Sequence, residues 1–197
     1  IGENPSRFNS GLKKRLVHND LGELVSMSVI GGNAGISMNG THFLELFNFL
    51  TGEKLDRVSG WFDKEVQANP RGMQYCDPGG TLKGYTKTKK YLTINFHTNA
   101  GYGLLLVVNT THSQVVADLL SGEMKINSRK PEDRERTTGL YGLEPTVECH
   151  PFNPLDATTS STFVLRELLK GPRGNFCNLK DAGELIKTVL ASYHSDH

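Results

Sequence analysis

Asn33-Ala34-Gly35-Ile36-Ser37-Met38-Asn39-Gly40-Thr41-His42 is a polar run that feeds the apolar stretch Phe43-Leu44-Glu45-Leu46-Phe47-Asn48-Phe49-Leu50-Thr51-Gly52. Phe43, Leu46, Phe47 and Leu50 fall at i, i+3, i+4 and i+7, which predicts a helix that buries one apolar stripe and stops at Gly52. Thr41 is the expected cap, so His42 is expected in the first turn. There the unpaired backbone N–H groups present a positive field that disfavours an imidazolium. Two readings of His42 stay open: a proton acceptor near pH 7, or a hydrogen-bonded residue of a helix start.

The pattern Gly40-x-His42-x-x-Glu45, the apolar helix, Thr51-Gly52-Glu53 and the strand expected from Lys54 to Phe62 together resemble the substrate-side motif of the Gfo/Idh/MocA oxidoreductases. The resemblance extends to both ends of the chain. Arg7-Phe8, a Leu- and Lys-rich helix from about Ser10 to His18, and Leu21-Gly22-Glu23 before a strand over Leu24 to Ile30 look like the segment that follows this family's cofactor domain. The final helix, Leu179 to Tyr193, looks like the family's C-terminal helix. The chain opens at Ile1-Gly2-Glu3-Asn4-Pro5 without an initiator Met, so it is expected to begin at that domain junction.

The resemblance implies a Rossmann domain ahead of this chain, with a Gly-rich dinucleotide loop and a Glu-Lys-Pro motif, neither of which occurs in this sequence. NAD or NADP is therefore expected on the intact protein and not on this fragment. The resemblance also implies that His42 takes the hydroxyl proton of a sugar or polyol. Asn39 is the first choice of substrate contact, with Asn4 and Arg7 as further candidates at the junction. One position departs from the family, which usually has Asp four residues before the His where this chain has Met38. A thioether cannot orient an imidazole as a carboxylate does. The alternative is a non-enzymatic module, a dinucleotide-responsive regulator or assembly subunit that kept the fold and lost the acid–base pair.

Gly31-Gly32-Asn33-Ala34-Gly35 follows a strand and precedes a helix, but it lacks the G-x-G-x-x-G spacing and no βαβ unit follows it. It reads either as a loop that lets backbone approach a ligand or as a plain linker. From Asp63 to Lys90 the chain is polar, with Pro70, Gly72, Pro78, Gly79, Gly80 and Gly84 and no countable period, so a long loop or insertion flanking the site is expected.

Tyr91 to Thr98 alternates, with Leu92, Ile94 and Phe96 on one face and Tyr91, Thr93, Asn95 and His97 on the other, which predicts a half-buried strand. Gly103 to Val108, Gln114 to Leu120, Glu123 to Asn127 and Glu144 to His150 are expected to continue as short antiparallel strands. Ser128 to Thr138 mixes both charge signs and reads as a solvated loop. Helices are expected over Thr158 to Lys170 and Leu179 to Tyr193, the second capped by Asn178 and striped by Ala182, Leu185, Ile186, Val189, Leu190 and Tyr193.

These elements predict an α+β fold: one domain over 1–197, an open, mainly antiparallel sheet with helices on one face. The other sheet face must be solvated or buried against another subunit. The resemblance implies a homo-oligomer through that face. With 197 residues, 37% of them apolar, the chain can bury one sizeable core. Lys plus Arg number 22 against 21 Asp plus Glu, so no strong field favours nucleic acid or a membrane surface. Cys76, Cys149 and Cys177 are an odd set without close spacing, which argues against a disulfide framework and a zinc site and for a reducing, cytoplasmic setting.

Overall fold

The computed structural model describes residues 5–18, 20–32, 34–64, 72, 74–101, 103–136, 143–152, 169 and 179–195. Among these residues it comprises helix α1 (Pro5–Val17), strand β1 (Leu24–Gly32), a π turn (Ile36–Gly40) and helix α2 (Thr41–Thr51). Strands β2 (Leu55–Phe62), β3 (Gly80–Thr86), β4 (Tyr91–His97), β5 (Leu104–Thr110), β6 (Ser113–Asp118), β7 (Glu123–Ser128) and β8 (Thr146–Pro151) follow, and helix α3 (Leu179–His194) comes last. Apart from Leu169, the helix expected over Thr158 to Lys170 lies outside the described residues, as do the Asn178 cap, Asn4 and Cys177.

The eight strands form one sheet in the order β2-β3-β4-β1-β5-β6-β7-β8. Every pairing is antiparallel except β1 with β4, where Val29 lies beside Ile94. The reason is connectivity: β1 leads through the π turn and α2 to β2 at the sheet's edge, and the chain then returns inward as two hairpin steps to meet β1. The fold is the α+β sheet expected, with one addition. The polar stretch from Asp63 to Lys90 is not loop throughout, because Gly80–Thr86 forms β3, an interior strand. Its core face is carried by Leu82 between two glycines, too thin an alternation to read beside its Gly- and Pro-rich flank.

One face of the sheet is the core. Leu82, Ile94, Val29, Leu106 and Ala117 lie side by side across five strands, all fully buried. α2 contributes Phe43, Leu44, Phe47 and Leu50 to this core, and Phe43 meets Phe96 edge-on at 6.0 Å between ring centres. Each such side chain stabilises the fold by about 1.5–3 kcal/mol relative to exposure. α3 packs on β2: Leu185 and Val189 are buried, and the Tyr193 ring lies 4.2 Å from that of Phe62. The apolar stripe of α3 is only partly covered, since Ile186 and Leu190 are 56% and 52% exposed.

The opposite face carries no helix among the described residues. A row crosses it from Trp61 through Thr81, Asn95, Ile30, Leu105, Asp118 and Glu123 to Pro151. A second row runs from Ser59 through Lys83, Thr93, Ser28, Val107, Val116 and Lys125 to Cys149. Trp61, Ile30, Tyr91 and Val147 are all about half exposed on it. The outward set Tyr91, Thr93, Asn95 and His97 is as the alternation of β4 predicts.

Candidate functional site

The helix that carries His42 starts earlier than its apolar stripe suggests. Gly35 occupies the cap position with extended backbone, the π turn Ile36–Gly40 follows, and Gly40 is already helical where it joins α2. Thr41 is therefore not the cap; its hydroxyl donates back to the Met38 carbonyl at 2.8 Å. His42 lies seven positions past Gly35, beyond the first turn in which the helix field acts. His42 is an exposed imidazole on the helical rod formed by the π turn and α2, with Met38 one turn before it and half-exposed Asn39 between them. π turns inside helices recur at functional sites.

Two side chains from distant parts of the sequence brace this rod. The Asp77 carboxylate accepts the Ser37 N–H at 2.7 Å and the Met38 N–H at 3.0 Å, and the Pro78 carbonyl accepts that of Ile36 at 3.1 Å. The first-turn donors are thus satisfied from the loop ahead of β3 rather than by a local cap. Gly35 permits this closeness, because a Cβ there would lie 1.9–2.5 Å from the carboxylate atoms of Asp77. From the other side the Tyr193 hydroxyl meets Ser37 Oγ at 2.7 Å. Burial, ahead of the nearby Asp77 charge, raises the Tyr193 pKa, so the phenol stays protonated at neutral pH.

The Gly-rich run before the π turn is also accounted for. Gly31 and Gly32 belong to β1, where a Cβ at Gly31 would press within about 3 Å of Phe96 and Leu104. The backbone donors at the rod's start that could cradle a phosphate are already held, those of Ser37 and Met38 by Asp77 and that of Ile36 by Pro78.

Thr51-Gly52-Glu53 proves structural. Gly52 closes α2 in the left-handed conformation at φ 72°. Glu53 pairs with Lys90 at 2.5 Å and accepts the Thr88 hydroxyl, which anchors the β3–β4 hairpin to the helix end. Those bonds, Lys90 first, lower the Glu53 pKa to about 2.

The site's residues are therefore placed unequally. His42 and Asn39 share one rod, while Arg7 lies on α1 and Asn4 is outside the described residues. Sequence reading missed Asp77 and Tyr193, which act on Ser37 from 40 and 156 residues away. No local spacing signals either contact.

No protein-family model matches the chain, and no curated protein does. Solved structures do. Levoglucosan dehydrogenase in complex with NADH and levoglucosan matches 96% of this chain and 62% of its own, with TM-score 0.70 and 12% identity. UDP-N-acetylglucosamine 3-dehydrogenase GnnA from Acidithiobacillus ferrooxidans matches 94% and 61%, at 0.69 and 14%. A super-repressor mutant of Gal80p from Saccharomyces cerevisiae matches 96% and 60%, at 0.66 and 11%. The chain spans about three fifths of each. This chain therefore has the fold of the part that it matches in these dehydrogenases and in Gal80p, consistent with the C-terminal domain of the Gfo/Idh/MocA type that the resemblance implies.

Proposed function

We propose that this chain is the substrate-binding and oligomerising domain of a longer NAD(P)-dependent oxidoreductase acting on a sugar or other polyol. The observation that supports this reading best is the braced π turn, which delivers an exposed His42 and Asn39 on one rod within a dehydrogenase fold. In this reading His42 accepts the substrate hydroxyl proton and Asn39 holds the substrate, with Arg7 and Asn4 as further candidate contacts. The dinucleotide, NAD or NADP, is held by the remainder of the longer protein, and the chain alone does not catalyse. The open sheet face buries itself against a second copy.

The test is calorimetry of NADH with this chain and with the longer protein. The longer protein should bind at micromolar concentration and the chain should not. Micromolar binding by the chain would overturn the division of labour.

A second reading keeps the fold and drops the chemistry, as a regulator or assembly subunit. It draws on Met38 at the position of the family's carboxylate and on the match to Gal80p. Asp77 brings a carboxylate to the backbone of position 38, but its two oxygens are committed to the N–H groups of Ser37 and Met38. Dehydrogenase turnover by the longer protein would remove this reading.

A further inference from the structure

The end of α2 opposite His42 borders an open cavity of about 460 Å³ between α1, the start of β1 and the β3–β4 hairpin. Lys13 of α1 and Lys89 and Lys90 of the hairpin line it, against a single lining carboxylate, Glu23. The Lys13 ammonium is fixed by donating to the Leu50 carbonyl at 2.7 Å, which uses one of its three donors. Burial, and after it the charge of Lys90, lower the Lys13 pKa. The Lys90 charge therefore acts on Lys13, in the direction that disfavours a second cation there. Lys90 is balanced by Glu53, which leaves Glu23 as the one carboxylate among the described lining residues against Lys13 and Lys89.

The hairpin adds a second, independent observation. Lys89 has φ 65°, the left-handed region, and is the single non-glycine with positive φ among the described residues. Gly or Asn would adopt that conformation at lower cost, and residues held so tend to lie at ligand sites. The turn is fixed by the Thr86 N–H bond to the Lys90 carbonyl and by the Lys89 N–H bond to the Thr86 carbonyl. It presents Lys89 over the Tyr85 ring, 4.0 Å from its centre.

We propose that this cavity binds a small, multiply charged oxyanion of the phosphate class between Lys13 and Lys89. The site is independent of the role of His42. Its ligand would join α1 to the β3–β4 hairpin, relieving the Lys13–Lys90 repulsion.

Inorganic pyrophosphate is the probe, titrated into this chain by calorimetry at low ionic strength, with citrate as the carboxylate comparison. We expect saturable 1:1 binding of pyrophosphate, weaker binding of citrate, and a Lys13 pKa, followed by side-chain NMR, that rises when pyrophosphate binds. Lys13→Met and Lys89→Gln should each weaken pyrophosphate at least about tenfold. Lys89 is exposed, so its variant remains informative should Lys13→Met fold poorly. Lys180→Gln, at the exposed start of α3, should leave affinity unchanged. Absence of saturation at about 10 mM pyrophosphate, preference for citrate, or equal losses from the Lys89 and Lys180 variants would each overturn the proposal.

Discussion

Asp77 holds the backbone N–H of Ser37 at 2.7 Å, so a residue of the loop before β3 caps the helix that carries His42. Removing it leaves the Ser37 and Met38 donors without that acceptor. Asp77→Ala should therefore destabilise the chain by about 1–2 kcal/mol, with Asp77→Asn recovering part of the loss because an amide oxygen also caps. Urea denaturation monitored by circular dichroism checks this. Equal stability of all three proteins would contradict the capping role.

Gly35→Ala should be destabilising through the same contact, since its methyl group would occupy the space of the Asp77 carboxylate. The two changes should then be non-additive. In a double-mutant cycle, Gly35→Ala in the Asp77→Ala background should cost clearly less than in the native chain. Additivity would mean that the glycine is there for another reason.

Acid stability should depend on Glu53. Its pKa is about 2 in the folded chain against 4.5 for the free group. A lowered acid contributes stability that is complete above the unfolded value and is lost as pH falls through the folded one. The loss therefore spans pH 4.5 down to about 2. Glu53→Gln should lower stability at neutral pH by on the order of 1 kcal/mol and flatten the pH dependence over that window. An unchanged pH profile would show that the Lys90 pair is not formed in solution.

The open sheet face should self-associate. Ile30, half exposed at the middle of the row from Trp61 to Pro151, is the place to test it. Ile30→Lys should weaken the oligomer at least about tenfold in analytical ultracentrifugation while leaving the monomer fold intact. A native chain that stays monomeric at high concentration would contradict a subunit interface on this face.

The strands of the meander and the apolar stripe of α2 were legible because period-2 and period-3.6 burial is written locally in Leu92, Ile94 and Phe96 and in Phe43, Phe47 and Leu50. β3 was not, because Leu82 alone marks its core face among glycines. The start of the His42 helix was misplaced because its cap is not local. Ser37 and Met38 are satisfied by Asp77, and so the polar run before Thr41 reads as loop while forming helical turns. The same physics hid Tyr193, whose apolar spacing on α3 gives no sign that its hydroxyl ends on Ser37.

The role of His42 is decided by turnover of the longer protein carrying His42→Ala, compared per folded molecule with the native enzyme. A general base supplies about 10²–10⁴-fold in rate, so kcat should fall by that factor while stability and substrate KM change little. A kcat unchanged at saturating substrate would contradict the catalytic assignment and leave the regulator reading in its place.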